Sequence, residues 1–298
     1  MERKLFALLF TGFVICEIFV GHVDTANGKR KVSKMAGDID KLAFAKKVII
    51  ITGASSGIGA HAAVHLATKG ASVSLVGRDE KRLNEVSEQI KSAGAPTPLV
   101  IIADVSKDAQ RIIDETVTHF GKLNILINNA GIVKLNNAEN IDMADFDLIM
   151  STNVRSIVEL TKLAIPHLKK TKGNILNVSS ACAERSMSNY YAYSMSKAAV
   201  NMLSKSAARD LGPIGVRINV LSPGLIRTPI AETRFGSAEK ANRFYEKNEN
   251  LYPVGRVGEV ADTSAAIEYL VGDSAGFVTG TILTVDGGAL LIGDLLVK

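Results

Sequence analysis

Short apolar runs rich in Val and Ile alternate along the chain with longer amphipathic stretches. In chain order, the apolar runs are VIIIT, SVSLVG, PLVIIAD, NILINN, NILNVSS, RINVLS and ILTVDG. Between them lie segments with helical periodicity, such as RDEKRLNEVSEQIKSAG and QRIIDETVTHFG. Continuous β-branched runs are typical of strands buried on both faces, and their alternation with helices favours a parallel sheet. The pattern therefore predicts an α/β fold with a doubly wound parallel sheet.

The composition is that of one globular domain. The chain has 298 residues, 47% of them hydrophobic, and no shift in composition within residues 42–289 marks a second domain. Residues 1–47 hold nine basic and five acidic side chains, so they carry +4 of the net charge of +5. Because the excess charge belongs to the amino-terminal extension and not to a face of the domain, we expect no nucleic-acid partner.

Residues 1–34 form an extension before the predicted domain and contain a largely apolar segment, 5–21. This segment is slightly long for the core of a signal peptide and slightly short for a membrane-spanning helix. A retained membrane anchor of the endoplasmic-reticulum type is favoured, because the denser basic cluster follows the segment and indicates a cytosolic domain. Two alternatives stay open: cleavage near Ala26 and Gly28, which gives a secreted protein, or a cytoplasmic protein that starts at Met35.

The two cysteines, Cys16 and Cys182, exclude a disulfide framework. Cys16 lies in the apolar segment of the extension. Cys182 is interpreted as a small buried hydrophobic residue, with contact to a substrate pocket as the alternative. No metal site is predicted.

Tyr193 and Lys197 stand four residues apart in YYAYSMSKAAV, a run that is predicted to be helical. Residues at i and i+4 share one helix face, so the lysine ammonium is expected beside the phenol. That charge, together with a second positive charge on a bound ligand, would lower the phenol pKa from about 10 towards neutrality. The pair is a candidate general acid and base, although the same spacing alone is more often a surface contact.

A glycine-rich turn follows the first predicted strand and opens a helix in KKVIIITGASSGIGAHAAVHLATKG. Its candidate binding residues are Gly53, Ser55, Ser56, Gly57, Ile58 and Gly59. Glycines let the backbone approach a pyrophosphate, and the helix N-terminus supplies amide donors and the positive end of a dipole. The strand, the turn and the helix together predict a dinucleotide-binding unit.

Several motifs in a fixed order make residues 42–289 resemble the classical short-chain dehydrogenase/reductase family. The glycine turn appears as TGASSGIG, and the family's Asn-Asn-Ala-Gly element as Asn128–Gly131. Pro223 and Gly224, in NVLSPGLIRTPI, match the loop that meets the nicotinamide, and GTILTVDGG matches the last strand and turn. The resemblance implies a single Rossmann-type domain, followed by a tail at 290–298. It also implies an NAD(P)-dependent oxidoreductase that interconverts a carbonyl and a secondary alcohol.

The resemblance also implies the catalytic residues. Tyr193 would exchange a proton with the substrate oxygen, and Ser180 would hydrogen-bond the same oxygen. Lys197 would hold the ribose and lower the Tyr193 pKa, while Asn153 would fix a water that links Lys197 to solvent. The usual gap of thirteen residues before the tyrosine selects Ser180 over Ser179.

The end of the second predicted strand, Gly77-Arg78-Asp79, bears on the choice of cofactor. An NAD enzyme usually has an acid at this strand end, whereas Gly77 has no side chain to repel a phosphate. Arg78 suits a 2′-phosphate, so NADP(H) is preferred over NAD(H). Alternatively, Arg78 is a solvated charge and Asp79 a helix cap. The family's other basic determinant is absent, because Ser56 occupies its place in the glycine turn.

The resemblance adds further cofactor contacts: Asp104, Val105, Asn129, Ala130, Gly131, Tyr193, Lys197, Pro223, Gly224 and Thr228. Asp104 would meet the adenine, and its alternative role is the N-cap of the next helix, with Ser106 as a second candidate for that cap.

The segment between Thr228 and Val257 is the expected lid over a substrate, because ligands in this fold lie beyond the carboxyl ends of the strands. Its apolar side chains would cover a ligand or, for most of them, pack onto the domain: Ile230, Phe235, Phe244, Tyr245, Leu251 and Tyr252. We therefore expect a small, apolar carbonyl or alcohol as substrate. Steroid, retinoid, fatty-acyl and xenobiotic carbonyls all remain open.

Two further expectations concern assembly and an alternative function. The resemblance implies a homo-oligomer, a dimer or tetramer, commonly formed through the long helices around 147–170 and 193–211. The alternative function is a membrane-tethered cofactor-binding or scaffold protein without turnover. The intact set of four catalytic residues argues against that alternative.

Overall fold

The computed structural model describes residues 43–185, 187–229 and 236–292, which belong to one compact unit, Lys41–Lys298. Its strands form a seven-stranded parallel sheet in the order β3-β2-β1-β4-β5-β6-β7. These strands are β1 (Val48–Thr52), β2 (Ser72–Gly77), β3 (Leu99–Ile102), β4 (Ile125–Asn128), β5 (Asn174–Val178), β6 (Arg217–Pro223) and β7 (Ile282–Val285). Each strand coincides with one of the apolar runs of the sequence. The predicted doubly wound parallel sheet is therefore confirmed.

Helices connect the strands and cover both faces of the sheet. They are α1 (Gly57–Thr68), α2 (Glu80–Ser92), α3 (Ala109–Phe120), α4 (Met143–Met150), α5 (Ser156–Thr171), α6 (Tyr191–Leu211), α7 (Ala238–Glu249) and α8 (Val260–Val271). A π-helical turn, Ser151–Arg155, joins α4 to α5. Short 3₁₀ turns include Ala181–Ala183, after β5, and Ala289–Leu291, after β7.

Strand β1 shows how the sequence builds the two cores. Successive side chains of a strand point to opposite faces of the sheet. Ile49 and Ile51 therefore pack in the core that contains α1, α2 and α8, whereas Val48 and Ile50 pack in the core with α3, α5 and α6. Because helices cover both faces, the strand is apolar from Val48 to Ile51 instead of alternating between apolar and polar residues.

No helix within residues 43–185, 187–229 and 236–292 is long and apolar enough to cross a membrane. The apolar segment 5–21 lies outside the described residues, as does the chain beyond Ile292. The predicted anchor, the signal-peptide alternative and the boundaries at 34, 42 and 289 therefore remain predictions.

Candidate active site

From β1 the chain adds β2 and β3 on one side of the sheet, and it then continues with β4 to β7 on the other side, so the strand order reverses between β1 and β4. A cavity of about 540 Å³ opens at the carboxyl ends of the strands. Ligands of open parallel sheets bind at such a reversal point. The predicted site residues that line the cavity are Gly53, Ser55, Ser56, Gly57, Ile58, Arg78, Asp104, Val105, Asn129, Ala130, Gly131, Ser180, Tyr193, Lys197, Pro223, Gly224 and Thr228. The structure thus brings together residues from six strand ends and from α6.

Two predicted residues, Gly59 and Asn153, do not line the cavity but contact residues that do. A Cβ on Gly59 would lie 2.4 Å from the Gly53 carbonyl oxygen and 2.4 Å from Asn129 Nδ2. Gly53 itself has φ +66°, a backbone conformation that favours glycine. The turn therefore needs glycine at both positions, which lets its backbone lie close to a bound pyrophosphate.

The turn after β1 is tied to the loop after β4 by Thr52, a residue whose role the sequence analysis missed. The Thr52 hydroxyl accepts hydrogen bonds from the backbone N–H groups of Asn129 and Ala130, each at 3.0 Å. Asn129 Nδ2 in turn donates to the carbonyl oxygens of Thr52 and Gly53, at 2.9 and 3.3 Å. These bonds fix the relative position of the two loops that flank the cavity.

Tyr193 and Lys197 occupy the first two turns of α6, so the predicted helix and its shared face are confirmed. Lys197 is almost fully buried and lies with its Nζ 5.7 Å from the centre of the Tyr193 ring. The same ammonium donates a 2.8 Å hydrogen bond to the carbonyl oxygen of Val178, at the end of β5. The lysine therefore joins the helix to the strand end that leads to Ser180.

The Tyr193 pKa in the ligand-free chain differs from the sequence expectation. Burial raises the phenol pKa above its ordinary value of about 10, and Cys182 raises it further. A hydrogen bond with Ser180 acts in the opposite direction, and Tyr190 adds a smaller upward shift. The lysine charge alone does not offset this loss of hydration, so the expectation of a lowered pKa is not met without a second positive charge.

Burial also changes the acidity of the neighbouring ammonium. It lowers the pKa of Lys197 to about 8, against an opposing effect of Cys182. Because Lys197 is then still mostly protonated at neutral pH, it provides a positive charge beside the phenol.

Asn153 lies in the π-helical turn and is completely buried. Its Oδ1 accepts from the Ile132 N–H at 2.8 Å, and its Nδ2 donates to the Ile132 carbonyl oxygen and to Ser196 Oγ, both at 3.0 Å. A Cβ on Gly131 would lie 3.4 Å from both Asn153 Oδ1 and Lys197 Nζ. The bare glycine thus leaves space between the amide and the ammonium.

Asp79, the residue after Arg78, caps the N-terminus of α2, as predicted by one of the two interpretations of this strand end. Asp79 accepts a hydrogen bond from the Arg82 N–H at 3.0 Å and pairs with the Arg82 side chain at 3.4 Å. Arg78 and Arg82 both line the cavity near Ser55. Arg82 was missed, although its place three residues after a helix cap makes it a near neighbour of the strand end.

Asp104 lines the cavity, but its alternative role as a helix N-cap is wrong. Helix α3 begins only at Ala109, so neither Asp104 nor Ser106 caps it. Asp104 Oδ1 instead accepts from the Ser106 N–H and hydroxyl, at 3.0 and 2.7 Å. The Ser106 hydrogen bond is the main reason that the Asp104 pKa is lowered, and the positive charge of Arg78 adds to it.

The side of the cavity away from the glycine turn includes three residues that the sequence reasoning did not assign to the site, Arg185, Met187 and Leu290. It also includes Cys182, Phe244 and Tyr252, which the sequence reasoning named as alternative ligand contacts. Cys182 is half-buried, and its Sγ lies 3.3 Å from Met187 Sδ. Because Cys182 lines the cavity, it corresponds to the alternative of a pocket contact and not to a fully buried residue. Of the expected lid residues, Tyr245 and Tyr252 are buried in a small apolar cluster, whereas Ile230 and Phe235 lie outside the described residues.

Comparison with known proteins agrees with this geometry. A family model described as Enoyl-(Acyl carrier protein) reductase matches residues 53–289. An uncharacterized oxidoreductase of Thermotoga maritima is 38% identical over 84% of this chain and 99% of its own. An L-fucose dehydrogenase of Bos taurus is 34% identical over 83% and 91%. A solved Caenorhabditis elegans short-chain dehydrogenase/reductase of unknown function, with cofactor, has a TM-score of 0.80, with 31% identity over 84% and 97% of the two chains.

The parallel sheet, the glycine turn and the cavity define an oxidoreductase that uses a nicotinamide dinucleotide. The chain belongs to the short-chain dehydrogenase/reductase family, and it is an NAD(P)-dependent enzyme that acts on CH–OH groups. The residues present fit this cofactor, because the glycine turn, Arg78 and Asp104 line one cavity and Gly53 and Gly59 carry no side chain that would force the turn away from the loop after β4.

Proposed function

We propose that the enzyme prefers NADP(H) and interconverts a carbonyl and a secondary alcohol on a small, apolar substrate. Its catalytic residues would be Asn153, Ser180, Tyr193 and Lys197. The observation that carries this proposal is the joint position of Tyr193, Lys197 and Ser180 at one cavity wall, with the lysine bonded to the strand end before Ser180.

The cofactor, when bound, supplies the hydride for reduction or accepts it in oxidation. Tyr193 donates its phenolic proton to the carbonyl oxygen in the reductive direction and takes it back in the other. The raised pKa of the ligand-free phenol keeps it protonated at neutral pH, which is the form that reduction needs. Ser180 hydrogen-bonds the substrate oxygen and stabilises the charge that develops there.

Lys197 and Asn153 support the proton transfer. The Lys197 ammonium stabilises the phenolate electrostatically once Tyr193 has given up its proton. The Asn153 amide is oriented by both backbone groups of Ile132, and Gly131 leaves room for a water between it and Lys197. Such a water would return a proton from solvent to the lysine and then to the phenol.

The preference for NADP(H) rests on charge at the end of β2. Arg78 and Arg82 line the cavity there, and Gly77 offers no carboxylate. Asp79 accepts from the start of α2 and pairs with Arg82 at 3.4 Å. A 2′-phosphate would therefore meet the Arg78 guanidinium and compete with Asp79 for that of Arg82.

The remaining contacts of the cofactor would come from loops after the other strands. Asp104 and Val105 would meet the adenine, and Thr228 the nicotinamide carboxamide. The backbone from Asn129 to Gly131 would line the ribose. All of these residues face the same cavity.

The most direct test of this function is a panel of carbonyl substrates assayed with the full chain, following NADPH and NADH absorbance separately. We expect oxidation of NADPH with apolar ketones or aldehydes, and slower oxidation of NADH. Faster turnover with NADH would contradict the cofactor preference. The absence of turnover of aldehydes and ketones with NADPH and NADH, and of secondary alcohols with NADP⁺ and NAD⁺, would contradict the substrate class.

We also propose a homo-oligomer formed through α4, α5 and α6. These helices expose large apolar side chains, namely Leu148, Val158, Tyr191, Met195 and Met202. Exposed apolar surface of this extent on neighbouring helices is typical of an interface. Light scattering should give the mass of a dimer or tetramer, and a charged residue at Met202 should lower it.

We further propose that residues 5–21 attach the enzyme to a membrane of the endoplasmic-reticulum type. The support is the sequence pattern alone. Membrane fractionation of the full chain and of a variant that starts at Met35 should find only the full chain in the pellet.

A further inference from the structure

Tyr245, on α7, is a buried tyrosine that the proposed catalytic machinery does not use. Its side chain is 3% exposed and packs in a small apolar cluster with Ala241, Tyr252, Val257 and Ala289. A buried tyrosine needs a partner for its hydroxyl, since an unpaired polar group away from water is costly. The partners of this hydroxyl indicate its role.

The Tyr245 hydroxyl binds the backbone of the loop after β6. It accepts a hydrogen bond from the Thr228 N–H at 3.1 Å. Its single proton faces two carbonyl oxygens, of Ile226 at 3.3 Å and of Thr228 at 3.2 Å, and it donates to one of them at a time. One side chain of α7 thus holds both backbone polar groups of Thr228.

Arg227 adds a second connection between this loop and the helices. Its guanidinium lies 4.8 Å from the centre of the Tyr245 ring, which is the distance of a cation–π contact. The same group pairs with Glu249, at the end of α7, and with Glu259, just before α8, the latter at 3.1 Å. The loop is therefore fixed at Thr228 and at the two residues before it.

Thr228 and α7 each border the cavity. A Cβ on Gly57 would lie 3.2 Å from Thr228 Cγ2, so Thr228 packs directly against the glycine turn. On the other side, Phe244, the residue before Tyr245, lines the cavity together with Asn248 of the same helix. The hydroxyl of Tyr245 thus connects the wall formed by α7 to the wall formed by Thr228.

We propose that Tyr245 is a positioning residue that holds Thr228 in place for the nicotinamide end of the cofactor. It acts through the Thr228 backbone, although its ring also lines the cavity. This inference rests on the proposed function, in which Thr228 contacts the nicotinamide carboxamide. Loss of the hydroxyl would remove the hydrogen bonds to the Thr228 backbone and weaken the binding of the nicotinamide half of the cofactor alone.

The test compares two ligands that differ in the nicotinamide half. NADPH carries it, and 2′-phospho-ADP-ribose lacks it, while both contain the adenosine half. Isothermal titration of the full chain gives the Kd of each ligand for the wild type and for Tyr245→Phe. The matched control is Tyr269→Phe, which removes a hydroxyl from a half-exposed tyrosine of α8.

We expect Tyr245→Phe to raise the Kd for NADPH roughly fivefold, the effect of one lost hydrogen bond, and to leave that for 2′-phospho-ADP-ribose unchanged. Tyr269→Phe should change neither. A second variant, Thr228→Ala, should make the Tyr245→Phe change ineffective, because the contact that Tyr245 positions is then gone. The ratio of the Kd for NADPH to the Kd for 2′-phospho-ADP-ribose separates a role at the nicotinamide half from a general structural role, even if the variant is less stable.

An equal loss for both ligands would overturn the inference, because it would show a general structural role. No loss for either ligand would also overturn it and leave the proposed function intact. If the wild type bound NADPH no more tightly than 2′-phospho-ADP-ribose, the contact at Thr228 would be absent. That result would overturn the proposed role of Thr228 together with the inference.

Discussion

The two sides of the cavity are built in different ways. The side that faces the glycine turn is defined by the backbone: Gly53 and Gly59 allow the turn to pack closely against the loop after β4, and Thr52 and Asn129 hold the two loops together. The side after β6 is defined by packed side chains, with Tyr245 and its cluster as the centre. We infer that the first side tolerates almost no change of shape, whereas the second can change its residues and hence its substrate.

A substitution at Gly59 is the strongest test of the difference between the two sides of the cavity. Replacing Gly59 by Ala places a Cβ 2.4 Å from a backbone oxygen of the turn, so the cradle must open. We expect the Kd for NADPH, measured by titration calorimetry, to rise by about 100-fold or more, or about 2.7 kcal/mol. Gly212→Ala is the control, because a Cβ there meets nothing within 4 Å and should leave binding unchanged. Normal affinity in Gly59→Ala would refute a side defined by backbone geometry.

Lys197 lies between the two sides, and its burial predicts a dependence of stability on pH. Its pKa is lowered to about 8, from 10.5 in the unfolded chain, so the unfolded state binds more protons between these values. The contribution of Lys197 is therefore fully present above about pH 10.5 and is lost as the pH falls through about 8.

Denaturant unfolding of the ligand-free wild type and of Lys197→Met measures this contribution. The free energy of unfolding of the wild type, relative to the variant, should rise on the order of 2 kcal/mol between pH 8 and pH 10. Tyr193, whose pKa is raised, opposes this trend near pH 10, where the unfolded chain begins to lose its phenolic proton; it is present in both proteins, so the difference between them isolates Lys197. A difference that is independent of pH would show that the ammonium is hydrated in the folded state.

Of these substitutions, the change at Arg78 is expected to have the smallest effect on free energy. Arg78→Ala removes one of the two guanidinium groups at the end of β2, so the Kd for NADPH should rise about tenfold, while that for NADH stays the same. Asp79→Ala is the comparison: it should lower the free energy of unfolding by about 1 kcal/mol through loss of the helix cap but, because it also releases Arg82, it should not raise the Kd for NADPH. Equal losses for the two cofactors in Arg78→Ala would contradict the phosphate contact.

The sequence predicts the backbone-defined side well. Apolar runs mark all seven strands, and the glycine turn and Arg78 are adjacent in sequence to a strand end. Each of these signals is local, so the residues that carry the chemistry are close together along the chain. The fold and the place of the cavity follow from them.

The sequence does not predict the side-chain-defined side, because its contacts join distant positions. The bond between Tyr245 and Thr228 spans seventeen residues, and Arg185 reaches the carbonyl oxygens of Ala289 and Ile292 across more than one hundred. The direction of the Tyr193 pKa shift also depends on how deeply the ring is buried, which residue spacing does not determine.

The central claim is that the Tyr193 hydroxyl moves the proton in the reaction. The most direct measurement is kcat of Tyr193→Phe with a substrate of the wild type, beside the Kd for NADPH of both proteins. The account predicts that turnover is lost, by about 100-fold or more, while the Kd for NADPH stays within about threefold of the wild type. Substantial turnover by the phenylalanine variant would contradict the account.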